Sequence, residues 1–234
     1  MRKFKGKDGV EKVQLRVDLG LLQMNAQGRP DGKRPFGHES LLDHFMAQRA
    51  RHREAHPASD ETFRLKSEDC GRLHQEALQY HHRYICLFQM EDYPGVVRDT
   101  ERNLLLLDFV QKHAVSEDLA WALQQFRPQL ILMHIRAKGS LSMGDGKYLD
   151  AIKIIEAGIE DLRQFYRDFA RHDLGEQTGE LQALESWLAE IQSKRPLTER
   201  EKLESALNDA VRREDYEKAA QVRDALRNLK THGL

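Results

Sequence analysis

The chain has little cysteine, little proline and no long apolar run. Two cysteines and six prolines occur in its 234 residues. Nowhere do apolar residues fill the roughly 18 consecutive positions that a membrane-spanning helix needs. Met1, Arg2 and Lys3 are not followed by the apolar core of a signal peptide. We therefore expect a soluble, cytoplasmic protein that contacts no membrane.

The two cysteines, Cys70 and Cys86, cannot form a disulfide with each other. They lie 16 residues apart on what the periodicity predicts to be one helix, which separates them by about 24 Å. A disulfide needs Cα atoms within about 7 Å of each other. We expect both cysteines to be reduced and structural.

The chain also has no large excess of charge of one sign, because it contains 37 Lys and Arg and 38 Asp and Glu. This balance excludes a surface built as a whole for nucleic acid or an anionic membrane. Residues 1–53 nevertheless hold 12 basic and 6 acidic residues, net +6, whereas residues 54–234 hold the other 25 and 32, net −7. The basic head either docks on the acidic body or contacts an anionic partner. In the second case the phosphate contacts would come from Lys33, Arg34, Arg49, Arg51 and Arg53.

Apolar and polar residues alternate in the head, which predicts a half-buried strand that ends near Gly20. Its apolar positions are Val13, Leu15, Val17 and Leu19. Asp8 and Gly9 are a turn signal that would fold residues 2–6 back onto this strand. Residues 28–32 contain a second turn signal. The head therefore holds one or two strands.

From residue 39 onward the apolar period is that of helices. The pattern predicts helices at about 41–53, 67–90, 94–110, 118–143, 148–165 and 181–191, and two more after Pro196. Breaks are expected at residues 57–60 and near Gly175 and Gly179, and Pro128 should kink the fourth helix.

The predicted fold is mainly α, with stacked antiparallel helical hairpins or a helical bundle beside a small N-terminal strand element. The chain divides into a basic head at 1–56, a helical-hairpin body at 66–194 and a C-terminal helical hairpin at 197–234.

Two segments of the body repeat each other. Residues 73–92 align with 126–145 at an offset of 53, and after a two-residue gap the following helices align at an offset of 55. Both units read helix, acidic turn, tyrosine, helix, and they resemble tetratricopeptide hairpins over about residues 70–170. Stacked hairpins of this kind form a groove for a peptide or a partner helix. A compact bundle without a groove remains the alternative.

The C-terminal segment carries the most specific pattern. Thr198 and Glu201 have the spacing of a capping box, and Arg213, Glu214 and Asp215 form a polar turn between two short amphipathic helices. The first helix has apolar residues at Leu203, Leu207, Ala210 and Val211, and the second at Tyr216, Ala219, Ala220, Val222, Leu226 and Leu229. The two alanines allow a close approach of the helices, and Tyr216 is expected to cover the open end of the hairpin.

These residues resemble the UVR motif of the excision-repair proteins UvrB and UvrC. The resemblance covers residues 197–230 and implies a bacterial protein-interaction hairpin, which pairs with another UVR hairpin in a coiled-coil-like manner. The partner would be another protein, either a UVR-hairpin protein or a second copy of this chain. The resemblance assigns interaction roles to Leu203, Leu207, Tyr216, Ala219, Ala220, Val222, Arg223, Asp224 and Leu226. Such hairpins also occur in adaptors of the Clp protease system.

Motifs of catalysis and of nucleotide binding are missing. The Gly-Lys pairs at 32 and 146 are followed by Arg34 and Tyr148 rather than Ser or Thr, so the chain has no phosphate-binding loop. It also lacks nuclease signatures and the Cys-x2-Cys pairs of the Clp adaptors. We expect neither an enzyme nor a cofactor.

Eleven histidines could suggest a metal site, but their settings argue against one. His52 and His56 are one helical turn apart, with His44 two turns earlier, yet they lie among arginines that would repel a cation. His81 aligns with His134 in the repeat, which favours packing or a hydrogen bond. We therefore predict no metal site.

The sequence predicts a non-catalytic interaction or adaptor protein that uses the C-terminal hairpin and the helical-repeat body. The alternative is a nucleic-acid-associated, repair-linked factor whose basic head contacts phosphates. Equal numbers of acids and bases, eight each in residues 198–230, favour a protein partner for the hairpin over DNA.

Overall fold

The computed structural model describes residues 1–18, 20–56, 62–169 and 179–231. It confirms a mainly helical chain with a small antiparallel sheet at the N-terminus and two helices in the C-terminal hairpin. The chain forms two compact units, Met1–Ala189 and Glu190–Leu234. The expectations for Leu19, for the break at residues 57–60 and for Gly175 lie outside the described residues.

The N-terminal sheet has the strand order β1 (Arg2–Lys5), β2 (Glu11–Val17) and β3 (Gly20–Asn25). The expected turn at Asp8 and Gly9 is confirmed, and β1 pairs antiparallel with β2. The pattern had not predicted β3. Its side chains alternate between exposed and buried faces, but the exposed face carries the apolar Leu21 next to Leu22. The apolar residues therefore do not show a period of two in the sequence.

Nine α-helices follow in the described part of the chain. Their bounds are α1 (Leu41–Ala55), α2 (Ser67–Gln89), α3 (Tyr93–His113), α4 (Glu117–Gln124), α5 (Arg127–Gly144), α6 (Tyr148–Asp168), α7 (Gly179–Lys194), α8 (Glu199–Arg212) and α9 (Tyr216–Thr231).

The expected kinked helix at 118–143 is instead two helices, α4 and α5. Pro128 lies in the first turn of α5 rather than in the middle of a helix. The first turn tolerates proline because its N–H would have no partner within the helix. The proline therefore starts a helix here and does not bend one. The N-cap of α4 is Ser116, whose hydroxyl accepts a hydrogen bond from the Leu119 N–H at 3.4 Å.

The sheet and the helices of the larger unit share one apolar core. Val13 and Met24 from the sheet, Phe45 from α1, and Leu87 and Leu106 from α2 and α3 are all buried in it. Both cysteines are free and buried, as expected for structural thiols, and burial raises the pKa of each. The head is thus packed on the body through apolar contacts.

A buried ion pair fastens the head to the helices. Arg83 on α2 donates two hydrogen bonds to Asp99 on α3, at 2.6 and 2.8 Å, and both side chains are 1% exposed. The remaining nitrogen of the guanidinium, Nη1, donates to the carbonyl oxygens of Asn25 and Gly28, each at 2.8 Å. Arg83 therefore joins α2 and α3 to the end of β3 and the loop after it.

A second buried carboxylate, that of Glu76 on α2, accepts hydrogen bonds from groups of the head and of α3. It accepts hydrogen bonds from Arg29 at 2.8 Å and from Arg102. Its oxygens also accept from the backbone N–H groups of Leu41 and Leu42 in the first turn of α1. The carboxylate thus supplies acceptors that the N-terminal turn of α1 lacks within the helix.

The two hairpins of the body share one turn geometry. Glu91 and Gly146 have positive φ angles of 57° and 74°. The N–H of Asp92 donates to the Leu87 carbonyl, and the N–H of Lys147 donates to the Ser142 carbonyl. These positions correspond at an offset of 55, which continues through α3 and α6. The turns therefore align the two units at an offset of 55, and not at the offset of 53 that the sequence pattern gave for the first helices.

Among the described pairs, α3 packs against α2 and α5, and α5 packs against α3 and α6. This order is that of neighbouring hairpins placed side by side. The finer resemblance to tetratricopeptide repeats stays a prediction.

Replacing Arg83 by Met should lower the free energy of unfolding by about 3–5 kcal/mol, because Asp99 would remain buried without its partner. Urea unfolding followed by circular dichroism measures this change. The matched control is Arg72→Met, since Arg72 forms an exposed pair with Glu68 that is worth less than about 1 kcal/mol. Equal effects of the two substitutions would contradict the anchoring role.

Candidate interaction hairpin and basic head

The C-terminal hairpin consists of α8 and α9, which pack against each other. Ala210 on α8 and Ala219 on α9 are buried, with 3% and 9% of their surface exposed. Small side chains at these positions let the two helix backbones approach closely, which agrees with the role expected for Ala219. Leu203, Leu207, Ala220, Val222 and Leu226 are half-buried.

The first turn of α8 is held by a complete capping box, as the spacing predicted. The Thr198 hydroxyl accepts from the Glu201 N–H at 3.2 Å, and Glu201 Oε2 accepts from the Thr198 N–H at 2.8 Å. Arg195 donates to the same carboxylate, with Nη1 to Oε2 at 2.7 Å. Hydrogen bonds from Arg195 and from Thr198 hold the pKa of Glu201 far below its usual range. The spacing gave no indication of the Arg195 contact.

The turn of the hairpin repeats the geometry of the body turns. Glu214 has a positive φ of 58°, and the Asp215 N–H donates to the Ala210 carbonyl at 2.9 Å. The Asp215 side chain accepts from the Lys218 N–H, as Asp92 accepts from the Gly95 N–H in the first body turn. The same Glu-Asp-Tyr sequence, at 91–93 and 214–216, forms both turns.

Tyr216 does not cover the end of the hairpin, because 71% of its surface is exposed. The expectation that it closes the hairpin is wrong, since most of its side chain is accessible to solvent. Val211 and Leu229, at 54% and 44% exposure, also present apolar surface to solvent. The hairpin therefore keeps several large apolar side chains outside its own small core.

Arg223 and Asp224 lie on the exposed side of α9, and Arg223 Nη2 is 3.5 Å from Asp224 Oδ1. Exposed pairs of this kind contribute little to stability. Their role at the polar edge of a contact, which the sequence resemblance implies, stays a prediction.

The five cations proposed for phosphate contact are not gathered into one cluster. Lys33 and Arg34 precede a short 3-10 turn, and Arg34 pairs with Glu39. Arg51 and Arg53 are exposed on α1, whereas Arg49 is half-buried. Because a helix turns by about 100° per residue, Arg51 faces away from Arg49 and Arg53.

Part of the basic charge of the head is paired with acidic residues of the chain. Lys3 on β1 pairs with Asp92, and Arg29 pairs with Glu76 and Asp31. These contacts show a head docked on the acidic body, which is one of the two interpretations of the charge asymmetry.

Several histidines of the described segments serve in packing and hydrogen bonding. The His52 and His56 rings stack with their centroids 4.7 Å apart. His81 Nδ1 lies 2.7 Å from the Tyr84 hydroxyl, and His134 Nδ1 lies 2.9 Å from the Thr100 hydroxyl. The hydrogen-bonding role expected for His81 and His134 is confirmed. Within the described ranges, no three His, Cys, Asp or Glu residues are arranged to hold a metal ion.

Comparison with known families identifies the hairpin. Residues 198–231 match the UVR family model, described as the UvrB/uvrC motif. This match marks the segment as a protein-interaction or DNA-repair-related module. No curated protein and no solved structure matches the chain. None of the described helices combines the length and apolarity required to cross a membrane.

The capping carboxylate makes the first turn of α8 sensitive to acid. Its pKa is lower in the folded state than in the unfolded state. The stabilisation is therefore complete above the ordinary glutamate pKa of about 4.3 and declines as the pH falls below that value. Glu201→Gln should increase fraying of α8 at pH 6, and the difference from the natural chain should shrink toward pH 3.

NMR chemical shifts of residues 199–212 in the full chain measure this fraying. Glu217→Gln, at an exposed position in the first turn of α9, is the control and should leave α8 unchanged. If the chemical shifts of Glu201→Gln match those of the natural chain at pH 6, the charge of Glu201 does not stabilise the first turn of α8.

Proposed function

We propose that this chain is a non-catalytic interaction or adaptor protein of the cytoplasm that binds another protein through its C-terminal hairpin. The UVR match, taken with the largely exposed Tyr216, is the observation that carries this proposal. The partner is a second UVR hairpin, either on another protein or on a second copy of this chain.

The small core of the hairpin supports a role in pairing. Units near 40 residues seldom bury enough apolar surface to be stable alone and usually gain stability by association. Ala210 and Ala219 are the well-buried apolar residues among the described side chains of α8 and α9, while Leu203, Leu207 and Leu226 remain half-buried. Val211 and Leu229 are exposed. A second hairpin placed over these side chains would remove the remaining apolar surface from water.

The charge of the hairpin fits the same partner. Its eight acids and eight bases cancel, so the segment has no net attraction for a phosphate backbone. Exposed pairs such as Arg223 with Asp224 and Arg200 with Glu204 can exchange partners with a similar surface at little cost.

A full-length chain carrying Tyr216→Ala and Ala220→Glu should lose its partner. Removing an aromatic anchor and adding a charge at the contact should weaken binding at least about tenfold. Light scattering measures the mass of the purified chain, and co-purification with a candidate UVR protein measures binding to another chain. If the chain pairs with itself, the mass should fall from that of a dimer to that of a monomer.

The matched control is Phe36→Ala with Ala157→Glu, which likewise replaces one aromatic residue by Ala and one Ala by Glu at exposed positions of the larger unit. It should leave mass and binding unchanged. The single variant Tyr216→Ala tests the contact without unfolding the hairpin, because this exposed side chain adds little to the hairpin core. Equal binding by the hairpin variant, the control and the natural chain would refute the proposal.

Nucleic-acid contact through the head is the second candidate, and the exposure of Lys33, Arg51 and Arg53 favours it. Replacing these three residues by Gln should abolish retention on a DNA column at low salt and reduce the salt dependence of binding. The matched control replaces Lys138, Lys153 and Lys194 by Gln and should change retention little. If the natural chain is not retained on the column at about 20 mM salt, where charges are weakly screened, this candidate is excluded.

A further inference from the structure

The N-terminal sheet of the larger unit has an open edge at β3 (Gly20–Asn25). β3 is the last strand in the order β1-β2-β3, so only the side that faces β2 is paired. Its sequence Gly-Leu-Leu-Gln-Met-Asn contains no charged residue. A further strand can therefore add to this edge without meeting a charge on β3.

The hydrogen bonds at the end of β3 show which of its backbone groups point outward. The Ala26 N–H donates to the Glu11 carbonyl of β2 at 2.8 Å, whereas the Asn25 N–H donates away from β2, to the Pro30 carbonyl at 2.8 Å. Backbone groups of successive residues in an antiparallel strand point to alternate sides. The N–H and C=O groups of residues 21 and 23 therefore point away from β2, as the N–H of Asn25 does.

These outward groups are open in the single chain. The loop after β3 occupies the edge at Asn25, but within the described ranges no backbone group bonds to the outward groups of Leu21 and Gln23. Large apolar side chains accompany them, because Leu21 is 63% exposed and Val17, on the neighbouring strand, is 46% exposed. Residues 20–24 thus combine unpaired backbone with exposed apolar surface.

Two copies of this edge complement each other. When one β3 lies antiparallel to a second β3 with a two-fold axis at Leu22, Leu21 of each copy lies opposite Gln23 of the other. Residues paired in this way exchange both of their backbone hydrogen bonds, so all outward groups at these positions gain partners. The half-buried Leu22 lies opposite its own copy and covers apolar surface. A register shifted toward Asn25 would require the N–H that already bonds to Pro30.

We propose that a second copy of this chain adds antiparallel to the β3 edge through Leu21 and Gln23, which joins two three-stranded sheets into one. The paired stretch is short compared with a standard interface, which buries about 800 Å² on each partner, so the Kd should be about 0.1–1 mM. At about 10 µM, a concentration suited to light scattering, such a contact leaves most chains unpaired. These residues all belong to the unit Met1–Ala189, so the proposal is independent of the role of the hairpin.

The test uses the full chain with Tyr216→Ala and Ala220→Glu, so that pairing of hairpins does not contribute. Amide hydrogen exchange of Leu21 and Gln23 is measured by NMR. It should be about two- to threefold slower at about 1 mM than at about 50 µM, because pairing protects both amides.

The Lys5 amide is the internal control. Its neighbour Gly6 donates to the Val10 carbonyl, so the Lys5 N–H points to the outer side of β1 and should exchange at the same rate at both concentrations. Concentration-independent exchange of Leu21 and Gln23 would overturn the proposal and leave this edge to a strand of another protein.

Two charge variants in the same background test the register. Leu21→Glu with Gln23→Glu places like charges opposite each other and should raise the Kd at least about fivefold, whereas Leu21→Glu with Gln23→Lys places opposite charges there and should keep the Kd within about threefold. Both positions are exposed, and the acid at position 21 lies beside Arg16 of β2, so the strand should tolerate the changes. Equal Kd values for the two variants would show that Leu21 does not face Gln23 and would overturn the proposed pairing.

Discussion

The buried pair of Arg83 and Asp99 is the interaction on which the larger unit depends. It connects α2 with α3 and ties the loop after β3 to both helices through two backbone carbonyls. Burying two charges is expensive unless their hydrogen-bonding capacity is used. Here each guanidinium nitrogen of Arg83 has an acceptor, so the desolvation cost is offset and the position of the head is fixed.

Periodicity predicted most of the helices because an apolar stripe every 3.6 residues is independent of what it packs against. It could not predict the polar anchors, since Glu76 and Arg83 lie on the buried face of α2 and look like interruptions of the stripe. Their partners, Arg29 and Asp99, are distant in sequence and become visible only in three dimensions. The split at Pro128 was missed for a related reason, because the same proline can kink a helix or begin one.

In the hairpin, by contrast, most of the local features can be predicted from the sequence. Its capping box, turn and small contact residues follow from local spacing and are therefore readable from the residues alone. The exposure of Tyr216 is not, because a tyrosine after a turn can cover the turn, as Tyr93 packs against Phe88 in the body, or stand free in solvent. A cavity of about 150 Å³ among α2, α3, α4 and α5 is likewise not predictable from the sequence, because four helices rather than one motif form it.

The position of β1 gives the basic charge of the head a further consequence. β1 is an edge strand of a three-stranded sheet, and its sequence Arg-Lys-Phe-Lys gives this strand three cations, of which Lys3 pairs with Asp92. An unprotected edge invites strands of other molecules to add to it, and lysines discourage such growth through mutual repulsion. The positive charge that suggested an external partner therefore also discourages the addition of another strand at the β1 edge.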